Sequence, residues 1–299
     1  MADVFHAGEL EVQERAGVRD QAAKIGTGIH VEIPPAAHGF LRARRFVVLA
    51  ATDPSGALWA SLLTGKPGFL EPVDARTLRI HAWPLRGDPL GEGLLDGADV
   101  GMVAIDLADR KRLRLNGRVA IREAGFDVVT REVFGNCPKY IQARVPENSD
   151  AAATTTTAAA TTRLDERQQR WVSTADTFFI GSRHAERGAD ASHRGGNPGF
   201  VHVVGASRLV WPDYSGNRMF QTLGNLAHDP RAGLLFIDFD VGATLQVAGR
   251  TRIEWDEERA RDFAGAERVI DFEIDRVVEI GGRDDLRHRL LGRSPFNPE

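Results

Sequence analysis

Cysteine is nearly absent from this 299-residue chain. The single Cys137 can close no intrachain disulfide and supply no cysteine-rich metal site, which fits a reducing compartment and leads us to expect a cytoplasmic protein. Lysine is almost as scarce, with 4 Lys against 34 Arg. Guanidinium groups suit bidentate phosphate contacts, yet a formal charge of −4 argues against a general nucleic-acid binder. Compositional bias of the source genome is the other reading of the arginine excess. No run of about 18 apolar residues occurs, so no membrane-spanning helix is expected. Asp3, His6, Glu9 and Glu11 come early, and no apolar stretch there could serve as an export signal. With 42% apolar and 27% charged residues the chain has an ordinary globular composition. Its length suggests two cores of roughly 130 to 150 residues each.

Residues 147–162 are low-complexity alanine and threonine with no apolar period, and they read as a linker between domains at 1–146 and 163–299. The two sides are self-similar at an offset of 131 to 132 residues. Phe46-Val47-Val48-Leu49 matches Phe178-Phe179-Ile180-Gly181, and Gly65-Lys66-Pro67-Gly68-Phe69 matches Gly196-Asn197-Pro198-Gly199-Phe200. Gly101 to Asp106 aligns with Gly233 to Asp238, and Asn116-Gly117-Arg118-Val119 with Ala248-Gly249-Arg250-Thr251. One offset kept over this distance indicates two copies of one domain.

Each copy shows short apolar runs separated by turn signals. In the first, 46–51 and 57–64 flank Asp53-Pro54-Ser55-Gly56 and read as a hairpin, with further strands near 77–81, 100–107 and 112–122. Polar segments at 88–96 and 217–228 are long enough for a few helical turns. A leading amphipathic helix is expected over 7–25, stopped by Gly26. Short strands that must hide their edges close most simply into a barrel, so the expected architecture is mainly β with helical additions.

Familiar catalytic and nucleotide motifs are missing. Gly26-Thr27-Gly28 starts a dinucleotide pattern that Val31 and the lack of a preceding strand defeat. There is no Walker lysine loop, no nucleophile elbow and no zinc helix. His184, His193 and His202 recur every nine residues without cysteine or clustered carboxylates, and no metal site is expected.

Duplicated domains share what the fold needs, so residues polar in only one copy are candidates for function. Asp190-Ala191-Ser192-His193-Arg194-Gly195-Gly196 stands where the first copy has Trp59-Ala60-Ser61-Leu62-Leu63-Thr64-Gly65. After the next strand, Trp211-Pro212-Asp213-Tyr214-Ser215-Gly216-Asn217-Arg218 continues through Thr222 to Asn225, whereas the first copy reads Trp83-Pro84-Leu85-Arg86-Gly87-Asp88-Pro89. Ser192, Arg194, Asn217, Arg218 and Thr222 are donor types that hold a phosphate near a helix start. Asp213 and Asn225 suit the polar edge of a heterocycle, and Tyr214 or Trp211 its face. A polar turn without ligand is the alternative.

At these residues the sequence resembles the pyridoxamine 5′-phosphate oxidase-like superfamily of flavin mononucleotide (FMN)-binding split β-barrels, in its predicted flavin-nucleotide-binding branch. The likeness covers 178–252 well and 46–122 more weakly. That branch carries a Val-x-x-Phe-x-x-Cys-Pro-Lys type segment after its barrel. Here a similar one, Arg131 to Tyr140 with Cys137 and Lys139, follows the first copy, while Arg276 to Gly282 has lost it.

The resemblance implies two tandem split barrels forming an intrachain pseudo-dimer with one composite FMN site, the second copy supplying the phosphate loops and the first a covering wall. Arg194 and Arg218 would grip the phosphate, completed by Ser192, Asn217 and Thr222. Asp213, Tyr214 and Asn225 would address the rest of the cofactor, and Cys137 and Lys139 would belong to the wall. His193 either faces the ring or turns to the opposite face of its strand. Cys137 is either a thiol activated by Lys139 or a packed small residue, and Trp59 either an apolar wall or core. No counterpart of the oxidase's Arg-x-His substrate segment is found; Arg287-His288-Arg289 reads as solvated helix. The implied activity is an FMN-dependent oxidoreductase acting on an unidentified small molecule, with a nicotinamide nucleotide as transient reductant and no assigned catalytic residue. A flavin or haem carrier or sensor without turnover is the alternative, with His193 or His202 as haem ligand. A homodimer of pseudo-dimeric chains is a further option.

Overall fold

The computed structural model describes residues 4–91, 93–147 and 158–299. Helices α1 (Ala7–Arg15), α2 (Arg19–Gly26) and α3 (His38–Arg42) lead into strands β1 (Phe46–Thr52), β2 (Leu58–Thr64), β3 (Leu70–Pro72), β4 (Thr77–Ile80), β5 (Asp99–Asp106), β6 (Lys111–Ile121), β7 (Phe126–Gly135) and β8 (Ala143–Pro146). The second half runs β9 (Ala158–Thr161), α4 (Glu166–Thr174), β10 (Thr177–His184), β11 (Gly188–Gly195), β12 (His202–Val203), β13 (Arg208–Tyr214), α5 (Gln221–His228), β14 (Arg231–Asp238), β15 (Ala243–Glu254), α6 (Glu257–Arg261), β16 (Ala266–Ile280) and β17 (His288–Gly292). One sheet has the order β2-β1-β5-β6-β7-β4-β3 and the other β11-β10-β14-β15-β16-β13-β12, the same path read twice. Both bulge at equivalent points, Asn116/Gly117 and Ala248/Gly249. The fold is mainly β, two tandem split barrels packed as a pseudo-dimer.

Phe46–Ala51 of β1 and Phe178–Gly181 of β10 are unbroken apolar runs because each is buried on both faces. Val47, Leu49 and Ala51 enter the core of the first barrel, and Phe46, Val48 and Ala50 enter a core shared with Phe179, Leu235 and Ile237 of the second. Phe178 and Ile180 point into the second barrel's own core. Pairing fixes the equivalence of the halves: Ala50 opposes Ala60 as Gly181 opposes Ala191. Ala50 therefore corresponds to Gly181, and the Phe46/Phe178 match expected from sequence is out by one residue. Such a slip exchanges the two faces of a strand, and only the corrected register sends Val48 and Phe179 to the shared core.

The barrels meet at backbone distance, and the contacts are reciprocal. A Cβ on Gly101 in β5 would lie 2.2 Å from Cα of Asp190 in β11, and one on Gly233 in β14 would lie 2.6 Å from Cα of Trp59 in β2. Gly101 and Gly233 are equivalent, as are Trp59 and Asp190, so this is the self-complementary pattern of a twofold interface built within one chain.

Several sequence expectations are corrected. The leading helix is two helices, broken at Gly17 with φ +66°. The described residues of 88–96 form turns instead of a helix, whereas 217–228 does contain α5. Arg131 to Phe134 lies inside β7 and does not follow the barrel. The linker ends early, since β9 pairs with β16; residues 148–157 lie outside the described part. The Arg287-His288-Arg289 segment is no helix: β17 pairs with β8, and His288 is buried.

Where the second barrel has Ser192, His193 and Arg194, the first has Ser61, Leu62 and Leu63, and the space is closed by a buried polar plug. Asp88 accepts from Ser61 Oγ (2.7 Å) and Leu90 N (2.8 Å). Gln246 Nε2 donates to Ala60 O and Ser61 Oγ, leaving its buried Oε1 without a partner. Burial pushes the Asp88 carboxyl up to about 6.

Two outcomes follow. Gly101→Ala should destabilise the chain by about 1–3 kcal/mol or more in urea melts, while Gly135→Ala, with open space at its Cβ, should stay within about 0.5 kcal/mol of wild type. Because the folded-state value of Asp88 lies above its ordinary one, the native state holds the extra proton, and this group's stability contribution is lost as pH rises from about 4 through about 6. Asp88→Asn keeps both accepted bonds and offers a donor to Gln246. Its melting temperature should match wild type at pH 4 and exceed it at pH 7.

Candidate functional site

A narrow cleft of about 70 Å³ opens between the barrels. The second barrel contributes the end of β11 (Ser192 to Gly195), the segment from Pro212 to Arg218, and the start of α5. The first contributes Arg112 and Arg114 from β6, and Asn136, Cys137 and Tyr140 after β7. Alternation along β6 places these arginines: Leu115 points into the first core, while Arg114 crosses to the second barrel and lies over the Phe134 ring.

Most of the cations here are matched by carboxylates. Arg114 forms a buried ion pair with Asp190, Arg268 pairs with Asp213 at 3.0 Å, and Arg194 approaches Asp213 at 3.7 Å. Arg218 Nη1 donates to both Glu267 oxygens at 2.7 and 2.9 Å, and its Nη2 donates to Ser215 Oγ. Among the described residues Arg112 has no carboxylate: its guanidinium reaches His193 Nδ1 at 3.0 Å and Cys137 O at 2.8 Å. Burial, together with repulsion from Arg114 and Arg194, pulls the Arg112 guanidinium down to about 10. Burial chiefly, then Arg112 and Arg194, holds His193 well below the usual histidine range, so its imidazole is neutral. Burial raises the Asp213 carboxyl against the pull of Arg194 and Arg268, and pushes Tyr214 up to about 12.

A guanidinium can only donate, so His193 Nδ1 accepts from Arg112 and the ring proton sits on Nε2. That Nε2–H is buried and has no partner, as are Arg112 Nε and Asn217 Nδ2. Each unpaired donor costs about 1–3 kcal/mol unless a ligand supplies an acceptor. The backbone is strained here too. Of the four non-glycine residues with left-handed φ among those described, Tyr140 (65°), Arg218 (63°) and Phe220 (62°) all line the cleft. Phe220 precedes α5 and gives it no side-chain cap, so the first amides of that helix are free for an anion. Uncompensated positive charge, unpaired donors and a bare helix start fit a phosphorylated, acceptor-rich cofactor such as a flavin nucleotide.

Of the residues singled out from sequence, Ser192, His193, Arg194, Asp213, Tyr214, Asn217, Arg218, Thr222 and Cys137 come together in this one cleft. Lys139 does not: its ammonium lies over the Phe296 ring at 5.8 Å. Asn225 lies behind α5, between His6 Nε2 (2.9 Å) and Ser182 Oγ (3.0 Å). Asp213 is held by two arginines and is not free to meet a heterocycle. His202 packs against Phe263 and Trp59 is buried with its Nε1 on Asp53, both away from the cleft. Sequence reading missed Arg112, Arg114, Asn136, Tyr140 and Gln221. β6 and β15 pair equivalently, so Thr244 and Gln246 stand where the first copy has Arg112 and Arg114; comparing the first copy with the second marks both.

Residues 164–281 match the family described as pyridoxamine 5′-phosphate oxidase. No curated protein matches the chain. Similar solved structures include HupZ from Group A Streptococcus, at 9% identity and TM-score 0.32 over 44% of this chain and 98% of that one. A proposed pyridoxamine 5′-phosphate oxidase of Lactobacillus delbrueckii aligns at 16% identity and TM-score 0.33, over 39% of this chain and 94% of its own. An FAD-binding protein of Mesorhizobium loti aligns at 10% identity and TM-score 0.30, over 43% and 99%. The family match falls within the second barrel and does not extend to the first.

Proposed function

We propose that the cleft holds one FMN per chain, and that the protein is an oxidoreductase passing electrons from a nicotinamide nucleotide to an unidentified small molecule. The single observation that carries this reading is the Arg112–His193 pair, a cation without carboxylate beside a buried, unpartnered N–H, in the cleft that α5 opens into. Bound flavin would supply the hydride chemistry, and the protein position, electrostatics and exclusion of water. Arg194, Ser192, Thr222 and the free amides of α5 would hold the phosphate. Arg112 and His193 Nε2–H would donate to polar ring or ribityl atoms, with Asn217 beside them. Tyr140 and Tyr214, whose rings lie 5.1 Å apart, would cover an apolar face. Arg218 contributes less than sequence suggests, because its Nη1 already meets Glu267 and its Nη2 Ser215 Oγ. A haem carrier is disfavoured at His193, where Arg112 engages one ring nitrogen and the other bears the proton.

The absorption spectrum of the purified chain should show the two visible flavin bands, which should bleach on anaerobic addition of reduced nicotinamide nucleotide. A Soret band or a colourless protein would overturn the assignment, and a flavin that stays oxidised would favour carriage over turnover. Arg194→Met and Arg112→Met should each weaken FMN binding by about 1.5–3 kcal/mol, with a smaller loss for Arg218→Met. Arg86→Ala, an exposed position in the first barrel, should leave it unchanged. Equal losses at Arg86 and Arg194 would contradict a single site.

A further inference from the structure

The cleft's most strained segment is held from outside. Residues 217–220 turn through two left-handed residues, Arg218 and Phe220, before α5 begins, and regular helical bonding starts only with Gly224 N to Phe220 O at 2.7 Å. Within the segment Asn217 Oδ1 accepts from Met219 N while Asn217 Nδ2 is unpartnered, and the Arg218 side chain is tied to Glu267 and Ser215 Oγ. A further restraint, on the backbone at Met219, comes from α1, far away in sequence. Gln13, fully buried, donates from Nε2 to Met219 O at 2.8 Å, and Arg19 in α2 fixes the other end of its amide at 3.0 Å. His6 Nδ1 accepts from Gly8 N, so its Nε2–H donates to Asn225 Oδ1, one turn into α5. Asn225 passes the tie to Ser182 in β10.

Between these two bonds the helices touch at backbone distance. A Cβ on Gly8 would lie 2.2 Å from Gly224 O, and one on Gly224 would lie 2.6 Å from Cα of Glu9. Val12 of α1 joins Leu223 and Leu226 of α5 in the second barrel's core. α1 thus grips the loop at Met219 and the helix at Asn225, on either side of Gln221 and Thr222, which line the cleft.

We propose that α1 is a clasp that sets the site's preference for the phosphorylated cofactor, with Gln13 and His6 as positioning residues that hold 217–222 in its anion-binding conformation without touching the ligand. The inference rests on the flavin reading above and deepens it. With α1 unclasped, the strained turn relaxes and the phosphate loses its helix-start amides, while the contacts of Arg112 and His193 to the rest of the flavin persist. The clasp therefore acts on FMN and not on riboflavin, which lacks the phosphate.

Titration of the full-length apoprotein with FMN and with riboflavin, followed by fluorescence quenching, tests this. Wild type should prefer FMN. Gln13→Met, which keeps the volume and removes the donor, should weaken FMN about tenfold, near 1.4 kcal/mol, and leave riboflavin affinity unchanged. His6→Ala should act the same way, and His6→Gln, which retains an N–H donor, should recover much of the preference. If Gln13→Met does not fold, His6→Ala and His6→Gln decide the matter. Equal losses for both flavins, or none, would overturn the clasp and leave the flavin site standing; a wild-type chain that binds neither flavin would overturn the site itself.

Discussion

Two β-sheets can approach to backbone contact only where side chains are missing, and the arrangement of this chain depends on that constraint being met twice. Gly101 lies against the strand bearing Asp190, and Gly233 against the strand bearing Trp59. The two contacts fix the relation of the barrels and bury the shared core of Val48, Phe179, Leu235 and their neighbours. They also bring β6 of one barrel beside β11 of the other, which is how Arg112 meets His193 across 81 residues of sequence. A bulkier residue at either glycine would push the two walls of the cleft apart.

Duplication allowed the equivalent positions around the pseudo-twofold to diverge in opposite directions. On one side, Arg114, Asp190, His193 and Arg194 form a cation-rich cleft whose donors outnumber the acceptors available to them. On the other, Gln246, Trp59, Leu62 and Leu63 occupy the same positions, and Asp88 with Ser61 fills the remaining polar space. The open side retains unpaired donors and strained backbone, costs that a protein tolerates where a ligand offsets them. The closed side retains only the unsatisfied Gln246 Oε1. The cleft lined by Arg112 and His193 is built from both barrels.

Much of this was legible from residue order. Apolar runs and turn residues marked the hairpins, the repeat marked the twofold relation, and polarity confined to one copy marked residues from Ser192 to Thr222 that share one cleft. Local pattern misled where tertiary context overrode it. The run Phe46 to Leu49 is apolar at every position, so its composition could not decide the register, and the match to the second copy slipped by one. Segment 88–96 has the length of a helix, but Asp88 is turned inward to Ser61. Asn225 has the chemistry of a ligand contact, yet it faces the back of α5 and holds His6.

The sequence by itself determined the strand content, the duplication and which copy carries the polar cluster from Ser192 to Thr222, because these follow from periodicity and from comparing one half with the other. Only the tertiary structure decided which charges are already spent. Arg218 and Asp213 looked free in sequence and are paired, by Glu267 and by Arg268, from strand β16 about 50 residues away. Arg112 looked like one arginine among many, and among the described residues it is the cleft arginine that meets no carboxylate. Charge compensation depends on distances of a few ångströms between segments remote in the chain, and those distances exist only once both barrels have closed.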